Sequence, residues 1–279
     1  MPPRYVPVTR IAAALAVVVG ILVIVRGAGG PRWRTLRPGA EFTTFRGDVW
    51  CKSGPGEVIA IRLDPARVRL RVRHFSLMPE GRPLNIVEWQ RRTGALAVFN
   101  AGQFYEDYSY MGLLVCDGRV VSRTLHPGYK AALVAAPDSG AFTARVLDLT
   151  REPLDPEHPG WREVAQSFML FDRTGAVRIR KSDRIANRTV VAEDRRGRLL
   201  VITSEGGYTL SDFAELLKAT PLELSHAMCM DGGYEAELCV IADKFRYASF
   251  GHWQRDQDAA AESPGATTAL PAVVTVMAP

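Results

Sequence analysis

The sequence predicts an α+β fold, with a largely antiparallel or mixed β-sheet core and a few flanking helices. These form a single domain that follows an N-terminal apolar anchor. Two observations lead to this prediction. Short runs of apolar and β-branched residues alternate with turn signals along most of the chain. Only two segments have the pattern of a helix, and strands do not alternate regularly with helices as they do in parallel α/β folds.

The composition is that of an ordinary globular protein. Of the 279 residues, 47% are hydrophobic and 23% are charged, which excludes a disordered chain, a collagen-like repeat and a coiled coil. The net charge of +5 arises in the first 37 residues, which contain six arginines and no acidic residue. The rest of the chain carries 29 basic and 30 acidic side chains, so its charge gives no argument for nucleic-acid binding.

The N-terminal segment predicts a membrane anchor. Fifteen uncharged residues, from Ile11 to Val25, have the length of a signal-peptide core and are short for a full membrane crossing. No convincing small-residue cleavage site follows. An uncleaved signal anchor is therefore favoured over a cleaved signal peptide and over a buried helix. We expect residues 1–37 to form the anchor and its basic flank, 38–56 a linker, and 57–279 the globular domain.

The strands are predicted from alternation and from turn residues. In 67–73 the alternation is strict and places Val68, Leu70 and Val72 on one apolar face. Asp117 and Gly118 have the signature of a hairpin turn. The other expected strands are 95–99, 113–116, 119–122, 131–136, 142–149, 167–171, 177–180, 188–193, 198–203, 226–230, 237–242 and 270–277.

Two helices are expected. A short one runs from Asn85 to Thr93 and ends at Gly94. A longer one is capped by Thr209 and ends before Pro221. The residues of this second helix expected to face the core are Phe213, Ala214, Leu216 and Leu217.

The cysteines and histidines predict no metal site. The five histidines are scattered, and none of the four cysteines forms a Cys-x-x-Cys pair. We therefore expect neither a metal nor another cofactor. Cys229 and Cys239 bracket a glycine turn, so a local disulfide and a pair of buried free thiols both remain open.

Three segments place polar residues beside glycines where predicted strands begin or end. The first is Asn100-Ala101-Gly102-Gln103, and the third is Met230-Asp231-Gly232-Gly233. The second combines Asn187-Arg188-Thr189 with Ser204-Glu205-Gly206-Gly207. Glycine allows a ligand to approach the backbone, and its N–H group can face an anion. Each segment taken alone is also what an ordinary turn looks like.

The order of these segments resembles the phosphodiester glycosidase family, from about residue 57 to the C-terminus. In that family an Asn-Gly-Gly or Asn-Ala-Gly turn is followed by a Gly-Leu-x-Val-x-x-Gly hairpin, and an arginine opens a later strand pair. A Glu-Gly turn then leads into a helix, and an Asp-Gly-Gly turn comes last. The matching residues are Asn100-Ala101-Gly102, Gly112-Leu113-Leu114-Val115-Cys116-Asp117-Gly118, Gln166-Ser167-Phe168-Met169-Leu170, Arg188, Glu205-Gly206 with 210–217, and Met230-Asp231-Gly232-Gly233.

The resemblance implies cleavage of a sugar-1-phosphodiester, a reaction with an oxocarbenium-like transition state. Asp231 would be the nucleophile or base, Glu205 the second carboxylate, and Arg188 the cation that holds the phosphate. Asn100 and Gln103 would bind sugar hydroxyls or an acetamido group. The glycines expected to give the substrate access are Gly102, Gly206, Gly232 and Gly233. A structural ion pair is the alternative role for Arg188.

The chain departs from the family pattern at two positions near this predicted site. Tyr234-Glu235 stands where the family usually has Ser-Ser, and Gln103 replaces an apolar or aromatic residue. A catalytically inactive carbohydrate-binding or polysaccharide-assembly protein is therefore the alternative function. A phosphodiesterase that cuts the P–O bond is disfavoured because such enzymes normally use metals.

The expected partners are a sugar phosphodiester or polysaccharide substrate and, through the apolar segment, a membrane; no nucleic acid is expected. Two arginines precede the apolar segment and four follow it, a distribution that by itself would keep the body cytoplasmic. The resemblance instead implies an extracytoplasmic protein that is membrane-anchored, or secreted if the segment is cleaved.

Overall fold

A computed structural model describes residues 31–140, 143–253 and 268–278. Within these ranges the chain forms two β-sheets and two α-helices. The strands are β1 Arg34–Arg37, β2 Ala40–Arg46, β3 Glu57–Leu63, β4 Arg69–His74, β5 Ala97–Asn100, β6 Leu114–Cys116, β7 Arg119–Ser122, β8 Ala131–Pro137, β9 Ala144–Asp148, β10 Trp161–Phe171, β11 Thr189–Asp194, β12 Leu199–Ser204, β13 Leu224–Cys229, β14 Leu238–Ala242, β15 Phe245–Ser249 and β16 Ala272–Met277. The helices are α1 Ile86–Thr93 and α2 Leu210–Ala219.

The larger sheet has eleven strands. Nine of them follow the order β1-β2-β3-β12-β11-β13-β10-β6-β7, while β8 pairs with β10 and β9 pairs with β8. The smaller sheet has the order β15-β14-β5-β16-β4. Every pairing between these strands is antiparallel, so the predicted sheet-rich core is confirmed.

The main hydrophobic core lies between the two sheets, and alternation along each strand decides which side chains enter it. In β3, Ile59 and Ile61 belong to this core, whereas Val58 and Ala60 pack on the opposite face with α2. The apolar row predicted in 67–73 is buried as expected. Helix α1 covers the outer face of the smaller sheet, where Trp89 packs in a cluster with residues of β5, β14 and β16.

Both helices begin and end at the residues that the sequence indicates. Asn85 caps α1 in a reciprocal capping box with Glu88, and Gly94 ends the helix in the left-handed conformation at φ 62°. The Thr209 side chain accepts a hydrogen bond from the Asp212 N–H and so caps α2. The four residues of α2 that were expected to face the core are buried.

The prediction of a linker over 38–56 is wrong. Strand β2 pairs along its whole length with β3, and β1 pairs with β2, so this region extends the larger sheet. Its glycines and prolines lie at turns, and Gly39 adopts φ 82° between β1 and β2. The globular part of the chain therefore begins before residue 38.

Two further differences concern short strands. The segment 177–180 forms only an isolated bridge between Phe171 and Val177 instead of a strand. Strand β15, which the sequence did not predict, pairs with β14 along Phe245–Ser249. The cysteines within the described ranges are free thiols, and Cys229 and Cys239 lie in different sheets.

The predicted anchor at 11–25 and most of the predicted loop at 256–268 lie outside the described residues. Within the described ranges, neither helix combines the length and the apolar character needed to cross a membrane.

Candidate active site

The second and third predicted site segments meet in the larger sheet, at one end of its inner strands β12, β11 and β13. Because β12 and β13 both run antiparallel to β11, the ends of these two strands lie beside the start of β11. The Ser204 N–H donates to the Arg188 carbonyl, and the Met230 N–H donates to the Thr189 carbonyl. Asp231 and Arg188 are thereby held at neighbouring positions, although they are more than forty residues apart in sequence.

The first segment arrives from the smaller sheet, where β5 ends at Asn100. The Asn100 side-chain amide donates to the Asp231 carbonyl at 2.9 Å, and the Asp231 N–H donates to the Ala101 carbonyl at 3.1 Å. Asn100 is only 1% exposed, so its first role is to join the two sheets at the site. Its Oδ1 atom is buried without a hydrogen-bond partner.

Asp231 has the electrostatic character of a functional carboxyl group. Burial, together with the negative charge of Glu235, raises its pKa to about 7. Hydrogen bonds from the Gly232 N–H and the Gln103 side chain, and the charge of Arg188, act in the opposite direction. A carboxyl group with a pKa close to neutrality can take or release a proton under physiological conditions.

Arg188 is buried and is held by backbone carbonyl groups. Its Nε donates to the Tyr208 carbonyl at 2.9 Å, and one terminal nitrogen donates to the Arg184 carbonyl at 2.6 Å. Burial lowers its pKa to about 10, which leaves the guanidinium charged at neutral pH. The sequence left open a structural ion pair between Arg188 and an acidic residue on an adjacent strand. Within the described residues, the hydrogen-bond partners of the guanidinium are backbone carbonyl groups instead.

The four predicted glycines divide into two pairs. At Gly232 a Cβ atom would stand 3.1 Å from the Nη1 atom of Arg188, so this glycine allows the guanidinium to approach the Asp231 turn. Gly233 adopts φ 80°, and the indole of Trp253 occupies the space where its Cβ would lie. Both glycines shape the turn that presents Asp231.

Gly102 and Gly206 are packed against protein atoms. A Cβ atom at Gly102 would meet the Tyr110 hydroxyl and lie 3.0 Å from the Gln166 carbonyl oxygen. At Gly206 it would lie 2.6 Å from the Cys51 sulfur and would also meet the carbonyl oxygen of Pro55. This close packing accounts for glycine at both positions without a substrate, so their predicted binding role stays a prediction.

Glu205 follows β12 at the same end of these strands, but its side chain contacts Tyr247 and not Asp231 or Arg188. The Tyr247 hydroxyl donates to its Oε1 atom, and the Glu205 N–H donates to the Glu57 carbonyl. Strand β11 separates β12 from β13, so Glu205 and Asp231 start from strands about 10 Å apart. No contact between Glu205 and Asp231 supports the predicted role of Glu205 as the second carboxylate, which stays a prediction.

Sequence reasoning did not give Glu235 a role in the site. It lies on a single 3-10 turn, Gly233–Glu235, four residues after Asp231. Burial raises its pKa, and its charge acts on Asp231. The departure from the family pattern at Tyr234-Glu235 was the available signal, because it places an additional carboxyl group next to the Asp-Gly-Gly turn.

Gln103 lies at the site as predicted, but it contacts protein groups on both sides. Its side chain lies close enough to the Asp231 carboxyl group to lower the pKa of that group, and its Oε1 atom accepts a hydrogen bond of 2.6 Å from the Tyr129 hydroxyl. Tyr129 follows no recognisable motif and was not identified from the sequence. The arrangement as a whole combines a carboxyl group, a buried cation and two amide side chains around one glycine turn.

Comparison with known proteins gives a family and a fold. The model of the phosphodiester glycosidase family matches residues 93–273. No curated protein sequence matches the chain. The structure is similar to the zebrafish N-acetylglucosamine-1-phosphodiester alpha-N-acetylglucosaminidase catalytic domain auto-inhibited by its pro-peptide, with a TM-score of 0.58 and 16% identity. That similarity covers 92% of this chain and 91% of the zebrafish domain.

A second similar structure is a hypothetical protein from Synechocystis. Its TM-score is 0.62 at 11% identity, and the similarity covers 91% of this chain and 64% of the Synechocystis chain. At such identities the two structures establish the fold, while the family model covers well over half of the chain and all three segments of the site. The protein therefore belongs to the phosphodiester glycosidase family.

Proposed function

We propose that the protein hydrolyses the bond between C1 and oxygen in a sugar-1-phosphodiester. The observation that carries this proposal is the position of the Asp231 carboxyl group, with its pKa of about 7, beside the buried guanidinium of Arg188. Family membership supports the same reaction class. In this proposal Asp231 acts at the anomeric carbon or on the attacking water.

The chemistry requires little more than these groups. A phosphate diester is already a good leaving group, so a strong general acid matters less than it does for an ordinary glycoside. The negative charge that develops on the departing phosphate needs a fixed cation and N–H donors. Arg188 supplies the cation, whereas the N–H groups of Gly232 and Gly233 already donate to the Asp231 carboxyl group and to the Asn187 carbonyl.

The identity of the second carboxyl group follows from electrostatics. Glu235 acts on Asp231, whereas Glu205 is hydrogen-bonded to Tyr247. We therefore propose Glu235 as the acidic partner that keeps the pKa of Asp231 near neutrality. Glu205 remains the partner predicted from the family pattern, and its substitution provides the comparison.

For the substrate we propose a sugar of the N-acetylglucosamine type or a phosphodiester-linked envelope polysaccharide. The support is the substrate in the name of the zebrafish enzyme, which shares the fold. The apolar segment 11–25 suggests an extracytoplasmic location at a membrane, where such polymers occur.

The test is product analysis with N-acetylglucosamine 1-(methyl phosphate) in water enriched in ¹⁸O. Cleavage of the C1–O bond gives reducing N-acetylglucosamine that carries the label, together with unlabelled methyl phosphate. Labelled phosphate would show P–O cleavage and would contradict the proposal. If this substrate and phosphodiester-linked polysaccharides bound without turnover, the inactive carbohydrate-binding alternative would replace it.

A further inference from the structure

The hydroxyl group of Tyr129 lies between the Gln103 side chain and the Met111 sulfur, which is 3.5 Å away. It donates a hydrogen bond of 2.6 Å to the Oε1 atom of Gln103. The tyrosine is 3% exposed, and its ring is fixed by stacking on His126 at 3.9 Å and by contact with Phe168 at 4.4 Å. The hydroxyl therefore has little freedom to leave Gln103.

This hydrogen bond determines which end of the Gln103 amide faces Asp231. A primary amide has one accepting oxygen and one donating nitrogen of nearly the same shape, so its neighbours decide its orientation. With the oxygen held by Tyr129, the NH₂ group is the end left to face the Asp231 carboxyl group, whose pKa the Gln103 side chain lowers. The opposite orientation would bring two oxygen atoms together.

We propose that Tyr129 is a positioning residue that acts through Gln103 to keep a hydrogen-bond donor on the Asp231 carboxyl group. The relevance of this donor to catalysis rests on the function proposed above. The arrangement itself does not.

The other groups that act on Asp231 are known and can be kept constant. Burial and Glu235 favour its neutral form, while Arg188 and the Gly232 N–H favour its ionised form. Tyr110 and Tyr129 also lie close enough for the charge of Asp231 to disfavour their ionisation. Substitutions at Gln103 and Tyr129 leave the remaining groups in place.

The experiment is a titration of Asp231 by ¹³C NMR in the full-length protein, with aspartate labelled at the carboxyl carbon and the signal assigned by its loss in Asp231→Asn. We expect Gln103→Leu to raise the pKa of Asp231 by about one unit, because a hydrogen bond to the ionised form is lost. Tyr129→Phe should shift it in the same direction, since the freed amide can turn its oxygen to accept a hydrogen bond from the protonated carboxyl group, which stabilises the neutral form.

The double variant separates a relay from a direct effect. If Tyr129 acts through Gln103, Tyr129→Phe should cause no further shift in a Gln103→Leu background. Equal shifts in both backgrounds, or no shift in either, would overturn the proposal. Tyr208→Phe serves as the matched control, because it also removes a buried tyrosine hydroxyl bonded to a protein oxygen, that of Gly56.

The titration does not depend on turnover, so it remains informative if the proposed reaction is wrong. Where the wild-type protein hydrolyses the phosphodiester, the acidic limb of the pH–rate profile should move with the NMR titration in Gln103→Leu and Tyr129→Phe. An active enzyme in which Tyr129→Phe leaves the pKa of Asp231 unchanged would contradict only the role of Tyr129. An inactive protein in which this pKa shifts as expected would contradict only the proposed reaction.

Discussion

At the scale of single residues, the position of Asp231 shows how a glycine turn can serve an acidic side chain. The backbone of Asp231 is tied to β5 through Asn100 and Ala101, so the carboxyl group is held without using its own oxygens for anchoring. One of these oxygens instead accepts from the Gly232 N–H at 2.9 Å. The carboxyl group is thus positioned by the backbone and left available for chemistry.

Substitution of Asp231 by asparagine tests whether this carboxyl group acts in the reaction. We expect hydrolysis of an activated sugar phosphodiester to fall by about a hundredfold or more, as when a positioned acid or base is lost. Ligand affinity, measured by calorimetry, should change far less, because binding would rest on Arg188 and the amides. Asp155→Asn, at an exposed aspartate, is the matched control. Normal turnover in Asp231→Asn would place the chemistry on another carboxyl group.

The pH dependence should reveal which carboxyl group acts on Asp231. The base form of Asp231 exists above its pKa, so kcat/KM should rise with pH through about 7. Removal of the neighbouring negative charge in Glu235→Gln lowers the pKa of Asp231, and this acidic limb should then move to lower pH. In Glu205→Gln the limb should keep its position. A shift in Glu205→Gln alone would restore the pairing predicted from the family pattern.

At the scale of elements, the turn after β13 depends on a backbone conformation that glycine adopts readily. Gly233→Ala would combine the left-handed conformation at φ 80° with a clash against Trp253. Gly197→Ala, at φ 76° with no atom near its Cβ position, carries the conformational cost alone, about 1 kcal/mol. We expect Gly233→Ala to lose clearly more stability in urea unfolding and to lose activity as well. Equal losses in the two variants would mean that the Trp253 contact is unimportant.

The elements that the sequence predicted are those with strong local signals. The capped helices, the Asp117-Gly118 hairpin and the alternating segment 67–73 all carry their own boundaries. By contrast, β1 and β2 lie among glycines, prolines and arginines and become strands only through pairing, β2 with β3 and β1 with β2. Strand β15 depends in the same way on β14. Strands of this kind are defined by the strands that they pair with more than by their own composition.

The site could be predicted in part for the same reason. Asn100, Arg188 and Asp231 lie beside strand ends with recognisable turns, and the structure brings them together. Tyr129 could not be found, because its role depends on a side-chain contact with a residue 26 positions away. The choice between Glu205 and Glu235 as the second carboxyl group could not be predicted either, because it depends on side-chain direction, which a turn motif does not specify.

At the scale of the whole molecule, β1 links the edge of the larger sheet to β15 of the smaller one. Arg37 forms an ion pair with Asp243, Arg34 lies over the ring of Phe245 at 4.7 Å, and Leu36 is buried in the main core. These contacts alter an expectation from the sequence, which assigned residues 1–37 to the anchor and its basic flank and not to the globular domain. We therefore expect the stability of a shortened chain to depend on whether it includes β1.

Two shortened chains test this. A chain that begins at Pro31 keeps β1, whereas one that begins at Pro38 loses it. We expect the shorter chain to be less stable by about 2 kcal/mol or more, since the burial of Leu36 alone contributes an amount of this order. The measurement is the free energy of unfolding in urea for both proteins. Equal stability would show that the contacts of β1 contribute nothing and that the fold can begin at β2.

The strand order of the smaller sheet has a consequence for how the protein is made. Strand β5 lies between β14 and β16, both of which follow it by well over a hundred residues, and β4 joins the sheet only through β16. During synthesis, β5 therefore has no strand to pair with until β14 or β16 has left the ribosome. Contacts of such long sequence separation are slow to form. Strand β16 completes the sheet that supports the first segment of the site, so a nascent chain should assemble this part of the site only after β16 has left the ribosome.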